Sequence, residues 1–246
     1  MIIYSAKTDC GLCRTVNQDS AAAFVKDNFG IFIVSDGMGG HSRGELASSA
    51  VAYEFNFFWQ ELMSQGELPD FATLTTMVKR VILEANTKVY QQYNHGQVCG
   101  ATIVVLLVYG DCYAVFSAGD SHVYTCLDQK LTLLTVDDIW DNLPSTIKSY
   151  TQEEIMQNER SGKLVQALGT AKTLDVHVKA DRIKGKQTFL LCSDGLYRFC
   201  NAITIQKRLN EAFEKEQLDE AMEEMFREVF QNGAPDNVSA ILISVK

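Results

Sequence analysis

Proline is rare in this chain, three in 246 residues, and no low-complexity stretch or internal repeat sets one region apart from another. Without a linker signal the simplest organisation is one domain, and the length suffices for a sizeable core. Long apolar runs are missing too. None approaches the ~18 residues that span a bilayer, and no basic-then-apolar leader opens the chain. The expectation is a cytoplasmic protein with no membrane partner. Hydrophobic residues make up 46% and charged residues 22%, the balance of an ordinary globular protein.

Positive charge is in deficit. Lys and Arg number 22 against 31 Asp and Glu, a formal charge of −9. A duplex nucleic-acid binder normally shows a basic face, so no nucleic-acid partner is expected. A phosphorylated ligand would need its counter-charge supplied locally, by metal ions or a few arginines. The seven cysteines are odd in number and scattered through apolar segments, as reduced thiols are. Cys10-Gly-Leu-Cys13 has the C-x-x-C spacing of redox and zinc sites, but no second C-x-x-C or C-x-x-H completes a tetrahedral set. Also absent is Gly-x4-Gly-Lys-Ser/Thr, which removes the P-loop nucleotide binders.

What is present is a readable series of strands and helices. Residues 3–8, 21–25 and 30–35 alternate in the strand manner. Ser42-x-x-Glu45 is a capping box opening a helix that runs to about Met63. That helix carries two apolar rows, Leu46-Ala50-Tyr53-Phe57 and Val51-Phe55-Phe58-Leu62, and so wide a face suggests packing against a sheet. After a break at 66–69, a second helix covers 71–93. Strands follow at 101–109, 112–118 and 122–126, the first two joined by a Gly110-Asp111 hairpin turn. The stretch 137–162 is polar and irregular, with one short helix near 151–158, and strands return at 173–180 and 188–192. The acidic run 211–228 hides apolar residues at helical spacing and reads as a core-packed helix; 237–245 is the closing strand. Hairpins with helices inserted between sets of strands imply an α+β fold of antiparallel sheets faced by helices.

Two segments share one grammar. Ile31-Phe-Ile-Val-Ser-Asp-Gly37 and Phe189-Leu-Leu-Cys-Ser-Asp-Gly195 each run four apolar residues into Ser-Asp-Gly. Asp36 and Asp194 thus sit at the mouth of a buried strand, where a glycine frees the backbone to turn. Asp120 ends a strand in Gly119-Asp-Ser121, and Asp236 precedes one in Pro235-Asp-Asn-Val238. In an antiparallel sheet the end of one strand and the start of its neighbour share an edge, so the four could gather, joined by Asp19. Buried together, carboxylates take up protons or bind cations. All-oxygen ligands select hard ions, Mg²⁺ or Mn²⁺, whereas on the plainer alternative each Asp only caps a turn. Such carboxylates can hold two ions about 3.5–4 Å apart, and a hydroxide bridging them can attack phosphorus in line with no Cys or Ser nucleophile. Arg14 would grip phosphate oxygens in a fork, or else pair with one of the aspartates.

Seven blocks occur in order over nearly the whole chain. They are Gly11-x-x-Arg14-x-x-Asn-Gln-Asp19, Ser35-Asp-Gly-Met-Gly-Gly-His41 with Gly44-Glu45, Gly100-Ala-Thr102, Gly119-Asp-Ser121, Ala167-Leu-Gly169, Cys192-Ser-Asp-Gly195 and Pro235-Asp-Asn-Val238. Together they resemble the metal-dependent protein phosphatases, the type 2C Ser/Thr phosphatase family, in its compact bacterial form. The resemblance implies a four-layer αββα sandwich, two antiparallel β-sheets flanked by antiparallel helix pairs. Residues 1–246 would form one catalytic domain, with a flap at about 137–163 that influences substrate choice. It implies a binuclear Mn²⁺ or Mg²⁺ centre in which Asp36 bridges both ions and the Gly37 carbonyl ligates one. Asp194 and Asp236 complete the other, and Asp19 acts on a metal-bound water. Asp120, with Asp194, matches a third-metal position of bacterial members, and Asn237 supports the surroundings of Asp236. His41 would either protonate the departing Ser or Thr oxygen or position the glycine loop. The partner implied is a phosphorylated protein, a target of a Ser/Thr kinase or the kinase itself, met by a monomer.

Three positions depart from the family pattern. Gln18 stands where many members carry Glu, which removes a negative charge beside one metal. His122 follows Gly119-Asp-Ser121 where Arg is usual, and Thr135-Val-Asp-Asp138 replaces the frequent Thr-x-Asp-His. The last two touch the flap and the surroundings of the site, so altered specificity is expected before lost activity. Two further readings are a catalytically silent phosphoprotein-binding regulator of the same fold and a small-molecule phosphohydrolase. The retained Asp36, Asp194 and Asp236 speak against silence.

Overall fold

Strands that run on in apolar residues without alternation need cover on both faces, and the central strands here have it. The computed structural model describes residues 1–39, 43–93, 98–185, 187–215 and 217–245. One antiparallel sheet carries, in spatial order, β1 (Ile2–Asp9), β11 (Val238–Val245), β10 (Gln187–Cys192), β7 (His122–Leu127) and β8 (Lys130–Leu133). The other carries β2 (Asp19–Lys26), β3 (Phe29–Gly39), β5 (Ile103–Tyr109), β6 (Cys112–Ala118) and β9 (His177–Arg182), with β4 (Cys99–Ala101) paired to β3. Helices α1 (Arg43–Ser64) and α2 (Phe71–Tyr93) cover this second sheet, and α6 (Ala202–Lys215) and α7 (Leu218–Gln231) cover the first. The layers are therefore αββα, as expected.

Three apolar layers hold these four together. Along β3, Phe29, Ile31 and Ile33 face α1 and α2, while Phe32 and Val34 point between the sheets. Along β10, Leu190 and Cys192 face α6 and α7, while Phe189 and Leu191 meet the opposing sheet. Strand β11 divides in the same way, with Ala240 and Leu242 outward and Ile241 and Ile243 between the sheets. A period of two on a doubly covered strand yields an unbroken apolar run. Each such side chain, fully buried, contributes about 1.5–3 kcal/mol.

Several expectations change. On α1, the row Val51, Phe55, Phe58 and Leu62 is buried, but Leu46, Tyr53 and Phe57 are 45%, 66% and 59% exposed. At 100° per residue the two rows lie about 140° apart, so one sheet cannot bury both. The start of α1 at Arg43 is described, but Ser42 of the expected capping box lies outside the described residues. The acidic run is not one helix: α6 and α7 share it, with Leu209 and Ala212 buried on the first and Leu218 through Val229 on the second. The strand expected at 173–180 is β9, shifted to His177–Arg182; as an edge strand it is exposed throughout. Strand 101–109 divides at Thr102, and the short elements β4, β8 and α3 (Pro144–Ser149) carry too few residues for a period to show. The short helix near 151–158 is α4 (Gln152–Met156), opened by a Thr151–Glu154 capping box. All seven cysteines are free thiols. Among the described residues, no helix is long and apolar enough to cross a membrane.

Candidate active site

Five aspartates reach one end of the sandwich by different routes. Asp19 is the first residue of β2 and sits opposite Asp36 of β3 in the ladder register. Asp120 lies between β6 and β7, where the chain passes from one sheet to the other. Asp194 opens α5 (Asp194–Tyr197) directly after β10, and Asp236 stands just before β11. Asp36, Asp120, Asp194 and Asp236 line one cavity of about 290 Å³ with Arg14 and Leu164 at its wall. Two come from one sheet, two from the other or its continuation, so the site exists only when the sheets face each other.

The backbone around these acids is tied at several points. The Asp36 N–H donates to Thr102 Oγ1 at 3.0 Å, and the Asp36 carbonyl accepts from the Thr102 N–H at 2.8 Å. Thr102 in turn shares a 2.6 Å hydrogen bond with Ser121, the residue after Asp120. The Gly37 N–H donates to the Gln18 carbonyl at 3.1 Å. A Cβ on Gly37 would lie 2.2 Å from the Gly44 carbonyl oxygen, so the first turn of α1 closes directly on β3 and no side chain fits between. Asn237 anchors the loop that carries Arg14. Its Nδ2 donates to the carbonyls of Cys10 and Val16, each at 3.0 Å, and its Oδ1 accepts from the Gln18 N–H at 2.9 Å. The Asn237 N–H also donates to Asp236 Oδ1 at 2.9 Å.

Crowded carboxylates resist ionisation. Burial, then the charges of Asp19, Asp194, Asp120 and Asp236, hold the Asp36 carboxyl well above the usual range. Burial pushes Asp19 up to about 6 against hydrogen bonds from Ser193 and Ser239, and burial with Asp194 pushes Asp120 up to about 6. Asp194 is raised chiefly by burial, with Arg198 opposing. Ser193 Oγ donates to Asp19 Oδ2 at 2.7 Å, but Asp19 Oδ1 is buried with no hydrogen-bond partner. An orphaned carboxylate oxygen among other carboxylates fits a place that a cation or its bound water completes. The donors are all oxygen, which suits Mg²⁺ or Mn²⁺. Among the described residues, no three acidic, imidazole or thiol side chains close around a single point. An ion here would take part of its coordination from backbone oxygen and water.

Arg14 Nη2 pairs with Asp236 Oδ2 at 2.9 Å, both side chains half-exposed. His41 lies outside the described residues. The two unusual residues near the flap are both engaged. His122 is buried, hydrogen-bonds Tyr124 at 2.8 Å and Asp137 at 2.9 Å, and stacks on Tyr197 with ring centroids 3.7 Å apart. Asp138 accepts from the Gly119 N–H at 2.9 Å and from Gln166 at 3.0 Å, and meets His177 at 2.8 Å. It thereby ties the segment after β8 to the turn bearing Asp120. Sequence reasoning passed over Thr102, Ser193 and Arg198. The first two lay inside quoted motifs, and Arg198 had a signal in its position four residues after Asp194.

Known proteins resemble this chain in sequence and fold. The serine/threonine phosphatase Stp of Listeria monocytogenes serotype 4b (strain F2365) is 27% identical over 242 residues, 96% of this chain and 93% of that protein. The Mycobacterium tuberculosis (strain ATCC 25618 / H37Rv) protein phosphatase PstP is 26% identical over 248 residues, 98% of this chain but 45% of that protein. The crystal structure of the PstP catalytic domain in complex with two manganese ions has a TM-score of 0.80 at 25% identity, covering 100% of this chain and 99% of that one. In fold alone, the S. agalactiae serine/threonine phosphatase is similar at a TM-score of 0.88 and 23% identity, over 100% of both chains. The sequence pattern of the family described as Protein phosphatase 2C matches residues 14–244, and the chain belongs to that family.

Proposed function

We propose that the chain is a Ser/Thr phosphoprotein phosphatase that works with two divalent ions, Mn²⁺ or Mg²⁺. The observation that carries this reading is the convergence of Asp36, Asp194 and Asp236 on one cavity, beside a buried Asp19 oxygen without a partner. When bound, the ions supply a water activated to attack phosphorus in one step, so no covalent enzyme intermediate is needed. Asp36, the Gly37 carbonyl, Asp194 and Asp236 would hold the ions. Asp19 keeps Oδ2 on Ser193 and leaves Oδ1 to accept from a water. Arg14 has five N–H donors, and its bond to Asp236 holds the guanidinium at the cavity wall, where it can also bind phosphate oxygens. Asn237 and Gln18 keep that loop in place. His41 is the proposed acid for the departing Ser or Thr oxygen. Leu164, which directly follows the proposed flap, lines the cavity, and the flap would touch the substrate there.

The names of Stp and PstP support a phosphorylated protein as substrate. We further propose that the substrate is a target of a Ser/Thr kinase or the kinase itself, and that the enzyme reverses kinase signalling as a cytoplasmic monomer. Hydrolysis of a phosphothreonine peptide and an aryl phosphate tests the reaction. Turnover should require Mn²⁺, stop with a chelator and fall to background in Asp36→Asn. Metal-independent turnover, or full activity in the variant, would sink the reading. Occupied metals without turnover of either substrate would make the protein a silent binder, and preference for a small phosphorylated metabolite would make it a small-molecule phosphohydrolase.

A further inference from the structure

Arg198 spans two of the acids at the cavity. Its Nη2 lies 3.2 Å from Asp120 Oδ2 and its Nε 3.2 Å from Asp194 Oδ2. One planar cation thus bridges the pair that the family resemblance places at a third-metal position. Mg²⁺ requires oxygen ligands at about 2.0–2.1 Å in a nearly fixed octahedron. Of the two oxygens, Asp120 Oδ2 already accepts an N–H bond from the guanidinium and Asp194 Oδ2 is ion-paired with it.

The placement of Arg198 is built into its surroundings. Asp194 and Arg198 are four residues apart on one helical turn, which sets their side chains on the same face, and the Arg198 N–H donates to the Asp194 carbonyl at 3.1 Å. The preceding residue, Tyr197, donates its hydroxyl to the Asp120 carbonyl at 3.0 Å and stacks on His122. His122 is itself held by Tyr124 and Asp137. The turn bearing Arg198 is therefore clamped to the turn bearing Asp120 from two sides.

Charge points the same way. Asp19, Asp36, Asp120, Asp194 and Asp236 bring five negative charges, and Arg14 and Arg198 return two. Two divalent ions overbalance the remainder by a single positive charge. A third would leave a large positive excess beside a guanidinium that already satisfies both acids.

We propose that Arg198 is a built-in cation standing in the place of a third divalent ion, so that the site fills with two ions and not three. The inference rests on the two-ion reading above. Arg198 is a positioning residue: it neutralises Asp120 and fixes Asp194, which would then present its remaining oxygen to one of the two ions.

Counting bound Mn²⁺ without substrate, by calorimetric titration and by electron paramagnetic resonance of the free ion, tests this directly. Wild type should bind two ions per chain. Arg198→Gln should gain a third, weaker site, lost again in Arg198→Gln/Asp120→Asn, and Arg198→Lys should stay at two because its ammonium keeps the charge. Three ions in the wild type with one lost in Asp120→Asn would overturn the inference, as would a folded Arg198→Gln that still binds two. Should Arg198→Gln fail to fold, the comparison of wild type with Asp120→Asn decides alone: an unchanged count of two supports the inference, and a lost ion overturns it. A wild type that binds no Mn²⁺ would sink the two-ion reading itself, an outcome distinct from a count of three.

Discussion

Stripped of divalent ions, this protein should gain stability as the pH is lowered from about 7.5 to about 5.5, the reverse of what paired surface carboxylates produce. The reason is the sign of the shifts at the cavity. Asp19 and Asp120 are both raised to about 6, and Asp36 is held well above the usual carboxylate range, largely by burial. Unfolded, each returns to an ordinary Asp value of about 3.9. Between about pH 4 and 6 the folded chain holds protons that the unfolded chain has released, so stability falls as pH rises through that window. Above it the full penalty is present, and acidification relieves it. Integrating the two groups raised to about 6, and discounting for their shared charges, gives roughly 1–1.5 kcal/mol between about pH 7.5 and 5.5. For a chain of this size that is about 2–6 °C in Tm. The exposed carboxyls of Asp70, Glu154 and Asp181 are lowered by hydrogen bonds and charge, and they act only below this window. Mn²⁺ should reverse the slope, because it binds the ionised acids and stabilises only the folded chain, by about 2.7 kcal/mol at a hundredfold excess over Kd. Thermal unfolding followed by circular dichroism, with chelator and with Mn²⁺, measures both slopes. A chelated protein that loses stability on acidification across this window, or identical slopes with and without Mn²⁺, would refute the reasoning.

Four other outcomes follow from particular residues. Asn237→Ala removes the hydrogen bonds to Gln18, Cys10 and Val16 and should cost about 2–3 kcal/mol in urea unfolding while weakening Mn²⁺ binding. Phe29, fully buried and stacked on Trp59 at 5.1 Å, should lose about 3–5 kcal/mol on truncation to Ala. Tyr53→Ser, on the exposed face of α1, should stay within about 0.5 kcal/mol of wild type. Arg14→Ala should lower kcat/KM for a phosphopeptide roughly tenfold to a hundredfold, the worth of one charge-assisted contact of about 1.5–3 kcal/mol, and an unchanged value would remove Arg14 from phosphate binding.

The elements that could be read in advance were long and strongly periodic. Strands β3, β10 and β11 showed as unbroken apolar runs, and α2 and α7 showed one clean apolar face, because each pattern is local to its segment. Helix α1 misled, since two apolar rows look equally fit for burial until a neighbour chooses one. The break between α6 and α7 was hidden by a continuous run of acidic residues. At the site, the aspartates could be found because each sits at a strand end beside a glycine, turn or helix start. Arg198 showed only its spacing from Asp194, since its second partner, Asp120, lies across the sandwich.

By itself, then, the amino-acid order determined which residues carry charge, where the strands end and which segments need cover on both faces. Only the tertiary structure decided that Asp36 from one sheet, with Asp19 paired opposite it, shares a cavity with Asp194 and Asp236 at the ends of the other, and that Arg198 pairs with Asp120 and Asp194. That apposition is set by burying Phe32, Val34, Leu191 and Ile243 in a single layer between the sheets. Such contacts join residues far apart in the chain, and no local period encodes which distant face will meet which.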